Sequence, residues 1–120
     1  MRDTPYATWS EAKGLASDDG AVFTGRIGAR RTALEAGGEG ATLEIAVSGL
    51  AEDPLLVTAS NAGDHPMGAL FDHALLAREL TSVGITASRV RLRFAPGAST
   101  ESLDAALRAI DEVLYGPPAR

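Results

Sequence analysis

The chain of 120 residues has no cysteine, a single lysine and few aromatic side chains. The absence of cysteine excludes disulfides, thiol nucleophiles and thiolate metal sites. With Lys13 as the only lysine, Schiff-base catalysis is not expected. No hydrophobic run approaches the ~20 residues of a membrane-spanning helix, and no apolar segment typical of a signal peptide follows the first residues. We therefore expect a cytoplasmic protein without a membrane partner.

Positive charge is scarce as well. The chain carries 11 Lys and Arg against 16 Asp and Glu, a formal net charge of −5. Proteins that bind nucleic acid need several cationic side chains to neutralise phosphates, so we expect no nucleic-acid partner. The length predicts a single domain over residues 1–120. Residues 1–20 and 116–120 are expected to be partly irregular, and the patterns below place the domain in the α+β class.

Several catalytic motifs are absent. The sequence has no phosphate-binding Gly-x-x-x-x-Gly-Lys-Ser/Thr loop and no Gly-x-Gly-x-x-Gly after a predicted strand. It also lacks a Gly-x-Ser-x-Gly nucleophile motif and a His-x-x-x-His metal motif. The sequence therefore predicts no catalytic residue, no metal site and no cofactor.

Alternation of apolar and polar residues is the clearest positive pattern. It predicts strands over residues 21–29, 41–48, 55–60 and 89–94. The first three are joined by short connections and are expected to form an antiparallel meander. Residues 30–36 admit two interpretations: a helical turn closed by Gly37 and Gly38, or a continuation of the first strand into a hairpin that turns at residues 37–40. The hairpin is favoured.

Helical spacing of apolar residues predicts three helices. A short one lies near residues 8–16, a second runs over 64–82 and is closed by Gly84, and a third begins at Ser99 or Thr100. The predicted order is (α)βββαβα. Two apolar helices on one face of an antiparallel sheet of about four strands make a two-layer α+β domain.

The strand over residues 89–94 places Arg89, Arg91 and Arg93 on one face, about 6–7 Å apart from one to the next. These arginines are predicted to bind an acidic partner, a phosphate or a carboxylate. A second interpretation is a solvated sheet face on which arginines pair with glutamates across strands. On an edge strand, the same charges would oppose aggregation.

Three polar residues mark the junction between a loop and the second predicted helix. Asn61 and His65 lie in the loop, and His73 falls on the apolar side of the predicted helix. A histidine at such a position is typical of a core or interface residue, and it is also a candidate ligand or base. We therefore consider Asn61, His65 and His73 as binding residues of a pocket at the junction over residues 60–73.

Two family resemblances accompany these patterns. Residues 90–114, VRLRFAPGASTESLDAALRAIDEVL, resemble the closing strand–turn–helix of the small domain in fold-type-I pyridoxal-phosphate enzymes. The part of those enzymes that holds the cofactor has no counterpart in this segment, so no cofactor is implied. Separately, the element order, small size and low pI are similar to small acidic secretion chaperones. That resemblance implies a dimer that binds an unfolded segment of a protein partner.

These observations favour a non-enzymatic, acidic interaction protein: an adaptor, an accessory subunit or a chaperone-like binder. We expect a homodimer, with the helix over residues 67–81 forming the dimer or partner surface. The alternative is a small-molecule-binding domain or minor enzyme that uses the 60–73 junction. Fold alone does not discriminate between them.

Overall fold

The computed structural model describes residues 5–17, 22–28, 30–37, 40–49 and 52–115. Eleven elements follow one another in these ranges: α1 Pro5–Ala12, β1 Val22–Ile27, β2 Arg30–Gly37, β3 Gly40–Ala46, β4 Leu55–Val57, 3-10 segments Ala59–Asp64 and Pro66–Asp72, α2 Ala74–Glu79, β5 Leu80–Ile85, β6 Arg89–Phe94 and α3 Thr100–Tyr115. Residues 1–4, 18–21 and 116–120, on which part of the predicted irregularity falls, lie outside the described residues. That the chain is one domain stays a prediction.

The strands form one antiparallel sheet in the order β1-β2-β3-β6-β5-β4. The α+β class is confirmed, and the predicted number of about four strands is wrong because β2 and β5 bring it to six. β3 pairs with β6, so residues 41–46 and 89–94 are direct neighbours in the middle of the sheet. The predicted three-strand meander is wrong, because β4 pairs with β5 at the far edge.

The prediction that residues 30–36 are extended and enter a hairpin is confirmed, since β2 pairs with β3 and Gly37 lies opposite Gly40. The prediction that they continue the first strand is wrong, because the chain reverses between Ile27 and Arg30. β1 and β2 pair with Ile27 opposite Arg30, and Gly28 begins the connection with φ +65°. That left-handed conformation favours glycine because glycine has no Cβ to clash. The tight connection fixes the register, so the residue that faces each side chain of β1 across the pair is determined.

The predicted helix over residues 64–82 is wrong. Two short 3-10 segments replace its first half, α2 spans only Ala74–Glu79, and residues from Leu80 onward form β5. Gly84 lies inside that strand instead of closing a helix. The apolar spacing of three residues gave a wrong prediction of a helix because short 3-10 segments bury residues at the same spacing, as they do for Met67 and Leu70. Threonine, valine and isoleucine in residues 80–85 favour a strand.

The apolar core lies on one face of the sheet. One row of directly opposed residues crosses all six strands and is buried throughout: Phe23, Leu34, Leu43, Leu92, Val83 and Val57. Leu103, Ala106 and Ile110 of α3 and Met67 and Leu70 of the second 3-10 segment pack into the same core. The helical elements therefore share one face of the sheet. No helix in the described ranges is both long and apolar enough to cross a membrane.

The start of α3 is held by a residue from another helix. The Glu79 carboxylate, at the end of α2, accepts hydrogen bonds from the Ser99 backbone N–H at 2.9 Å and from the Ser99 hydroxyl at 3.0 Å. These hydrogen bonds lower the pKa of Glu79 below its ordinary 4.5. The Tyr6 phenol donates to the Ala98 carbonyl nearby, and burial, then the Glu79 charge, raises its pKa. Glu79 therefore caps the N-terminus of α3 from a neighbouring helix, whereas a capping-box glutamate belongs to the helix that it caps.

We expect Glu79→Gln to lower stability by about 0.5–2 kcal/mol at neutral pH, the range for losing a helix-capping interaction. Because folding lowers the pKa of Glu79, its contribution is complete above pH 4.5 and is lost as pH falls through the folded-state pKa. Urea unfolding across this range should show the difference between wild type and variant shrinking as pH falls. A difference that is the same at all pH values would contradict the assignment.

Candidate interaction surface on the open face of the sheet

The face of the sheet opposite the core is polar and accessible. Its side chains alternate with those of the core row along each strand, and all are exposed or half-buried, so no described element packs over them. We call this surface the open face, and its residues are Val22, Thr24, Arg26, Arg31, Ala33, Glu35, Thr42, Glu44, Ala46, Leu56, Ser82, Gly84, Arg89, Arg91 and Arg93.

The open face has the opposite charge to the rest of the chain. Five arginines and two glutamates give it a formal charge of +3. The whole chain carries −5, so the remaining residues together carry −8. A cationic surface on an acidic protein favours encounter with negatively charged partners and disfavours cationic ones.

The three predicted arginines differ in their surroundings. Glu44, opposite Arg91 on β3, accepts from Arg91 Nε at 3.0 Å and Nη2 at 2.8 Å, and from Arg89 Nη1 at 3.2 Å. Arg93 lies opposite Thr42 and Ser82, outside reach of this glutamate. The expected cross-strand Arg–Glu pairs are therefore present. The edge-protection interpretation is wrong, because β6 lies between β3 and β5.

A second pair of arginines on the open face was not among the predicted site residues. Arg26 and Arg31 face each other across the β1–β2 hairpin. With Arg89, Glu44 and Ala46 they line an open concavity of about 650 Å³. The register of the β1–β2 pairing places Arg26 opposite Arg31. The sequence did not show this because it left open whether residues 30–36 form a strand.

Two further concavities continue the first along the same face. One of about 570 Å³ is lined by Leu56, Gly84 and Arg91, and shares Arg89 with the first. The other, of about 280 Å³, is lined by Thr42 and Arg93 among others, and shares Glu44 with the first. The open face therefore carries three adjoining shallow concavities rather than one enclosed pocket.

Asn61 satisfies the backbone of the edge strand. Its Oδ1 accepts from the Thr58 N–H at 2.6 Å, and its Nδ2 donates to the Leu56 carbonyl at 3.0 Å. The backbone groups of residues two apart in a strand point to the same side. One carboxamide thus caps the first 3-10 segment through the Thr58 N–H and also satisfies the Leu56 carbonyl of β4.

The two predicted histidines also serve the local backbone. The Nδ1 atom of His65 accepts from the Met67 N–H at 3.0 Å and begins the second 3-10 segment. The Nδ1 atom of His73 accepts from the Leu75 N–H at 3.3 Å at the start of α2, and His73 is exposed rather than on an apolar helix side.

The cavity beside the described 3-10 segments includes one of the three junction residues. A concavity of about 470 Å³ beside the 3-10 segments is lined by His65 and Asp72, but not by Asn61 or His73. Among the described residues, no group of three or more histidines, aspartates and glutamates is placed to hold a metal ion. The binding role proposed for Asn61, His65 and His73 stays a prediction.

The segment over residues 67–81, which was predicted to form the dimer or partner surface, contributes most of its large apolar side chains to the chain's own core. Five of the six large apolar side chains in residues 67–81 are buried in the chain's own core, and Leu75 is half-buried; the buried ones are Met67, Leu70, Phe71, Leu76 and Leu80. Within the described ranges, the exposed large hydrophobic residues are Leu56 at 57% and Tyr115 at 75%, both outside this segment. The homodimer stays a prediction.

Comparison with known proteins finds no match to this chain among protein-family models, curated proteins or solved structures. The two family resemblances drawn from the sequence gain no support from these comparisons. Function must therefore be argued from the open face itself.

Proposed function

We propose that this chain is a non-enzymatic interaction protein that binds an acidic segment of a protein partner on the open face of its sheet. The observation that carries the proposal is the charge of +3 on this accessible face within a chain of −5. Arginine suits this task because its planar guanidinium donates to carboxylates in a fixed geometry.

The scaffold behind the surface supports the same function. β3 and β6 lie in the middle of the sheet and carry the core residues Leu43 and Leu92 on their other face. Arg89 and Arg91 project from this packed support and are half exposed, at 50% and 48%. Binding groups held on a packed sheet lose less conformational freedom on association than groups on mobile loops.

The charge of the open face also favours one kind of partner over self-association. A two-fold symmetric dimer through this face would oppose the same patch on both subunits. That arrangement would place two surfaces of +3 against each other, which is unfavourable. An acidic segment of another protein has the complementary charge.

The test measures binding of a short synthetic peptide that alternates glutamate with serine. We expect it to bind more tightly than the matching lysine–serine peptide, and to weaken as salt screens the charges. The double variant Arg91→Ala/Arg93→Ala should weaken binding by about two- to thirtyfold, as expected for losing two exposed ion pairs. Fluorescence anisotropy with a labelled peptide measures both effects.

The matched control is Arg78→Ala/Arg108→Ala, which removes two exposed arginines from helical elements. It lowers the net charge of the chain equally and should leave peptide affinity almost unchanged. Equal affinities for the two double variants, or no preference for the glutamate peptide over the lysine peptide, would reject the proposal.

A further inference from the structure

We infer that Arg26 and Arg31, together with Arg89, form the site that anchors the carboxylates of the acidic partner segment. This inference rests on the proposed function and assigns a particular part of the open face to it. Its basis is a pair of like charges that the fold holds together, on the wall of a concavity with space for a ligand.

The backbone places the two arginines at a position of close approach. Thr24 directs both of its backbone groups away from β2, with its N–H donating to Ala16 and its carbonyl accepting from Ala16, each at 2.9 Å. Arg26 is two residues further along β1, so it also occupies a position that is not hydrogen-bonded to β2. Directly opposed residues at such positions have Cα atoms only about 4.5 Å apart.

A like-charged pair at this position is unfavourable unless an anion neutralises it. In the part of the chain that the structure describes, no carboxylate lies within ion-pairing distance of either guanidinium. Glu44, the carboxylate that lines the same concavity, is engaged by Arg89 and Arg91. Within the described ranges, neither Arg26 nor Arg31 is therefore paired with a carboxylate, and both residues line the concavity.

Small residues leave room for the ligand between the arginines. Ala46 is opposite Arg89 on β3, and Ala33 is on β2 two residues from Arg31; both line the concavity. Carboxylates that enter here meet two guanidinium groups from the hairpin and a third from β6. Because the positive charge continues along β6 to Arg93, the surface suits several carboxylates on one chain better than a single small anion.

The test uses Arg31→Gln, which removes one charge and keeps a polar side chain of similar length. Without ligand, relief of the repulsion should raise Tm by about 1–5 °C. In the same variant, affinity for the glutamate–serine peptide should fall about 1.4- to fivefold, as for the loss of one exposed ion pair. The opposite signs of the two changes identify a ligand site, because a merely structural arginine would lose stability when replaced.

Arg108→Gln is the matched control, since Arg108 is exposed on α3 and should change neither quantity. Arg26→Gln is the second variant and should reproduce both effects from the other strand. Unchanged peptide affinity in both hairpin variants, with affinity still lost in Arg91→Ala/Arg93→Ala, would overturn this inference and leave the proposed function standing. No peptide binding by the wild type would overturn both.

Inorganic phosphate provides the last arm of the experiment. Phosphate at equal concentration should raise the Tm of the wild type less than the peptide does, because the peptide presents several carboxylates to the extended surface. Equal or greater stabilisation by phosphate, lost in Arg31→Gln, would show a free oxyanion as the ligand and would overturn the assignment to a protein segment.

Discussion

Gly68→Ala is expected to destabilise the protein by about 3 kcal/mol or more, the upper range for overpacking a core. A Cβ at this position would lie 1.6 Å from the Ala62 carbonyl oxygen and 2.4 Å from the carbonyl carbon. The obstacle is backbone, so no side-chain rotation relieves the clash. Gly68 is also buried between Met67 and Leu70, both of which are in the core. The two 3-10 segments pack against each other only because residue 68 has no side chain.

Gly63→Ala is the matched control for this substitution. It lies in the first 3-10 segment, is exposed, and a Cβ there would meet no atom within 4 Å. Its free energy of unfolding should stay within about 0.5 kcal/mol of wild type. Thermal unfolding followed by circular dichroism compares the two variants. Similar Tm values for Gly68→Ala and wild type would contradict the close packing of these segments.

Trp9→Ala is expected to cost about 3–5 kcal/mol, the range for truncating a buried tryptophan. Trp9 is 7% exposed and joins α1 to α3: its Nε1–H donates to Asp104 Oδ1 at 3.0 Å. Lys13 completes the contact, with its Nζ 3.0 Å from the same oxygen and 5.6 Å from the centre of the indole ring. Loss of the ring removes apolar contact, a hydrogen bond and a cation–π contact together.

The consequence should reach the sheet edge beside the proposed anchoring site. The residues after α1 place the buried Leu15 against Gly25 and pair Ala16 with Thr24 of β1. If α1 detaches, this pairing is lost and the Thr24 amide should exchange with solvent faster. Trp9→Phe keeps an aromatic ring without the indole N–H and should show a smaller loss of stability. Unchanged protection of the Thr24 amide in Trp9→Ala would contradict this coupling.

Alternating patterns predicted the central sheet correctly because they record burial directly. Every second residue is buried in β3 and in β6: Ala41, Leu43 and Ile45 in the first, and Val90, Leu92 and Phe94 in the second. A strand with one buried and one open face produces this alternation whatever lies next to it. The last helix was predictable for the same reason, since its apolar residues face one core.

The segment over residues 55–85 was predicted poorly because its apolar residues satisfy more than one period. Short 3-10 turns, a six-residue helix and a strand each bury some of them. Which period prevails depends on partners far along the chain: β5 forms because β4 and β6 supply its hydrogen bonds on both sides. A local pattern contains no information about those partners.

The sequence by itself determined the α+β class, the two alternating strands in the middle of the sheet, and the row of Arg89, Arg91 and Arg93 on one strand of an acidic chain. These follow from composition and from periods shorter than one element. Only the tertiary structure decided that Arg26 faces Arg31, that the Asn61 side chain bonds the Leu56 carbonyl of β4, and that Glu79 of α2 caps the start of α3. Each of these depends on strand register or on contact between distant segments, and such contacts are selected by the packing of the whole chain rather than by neighbouring residues.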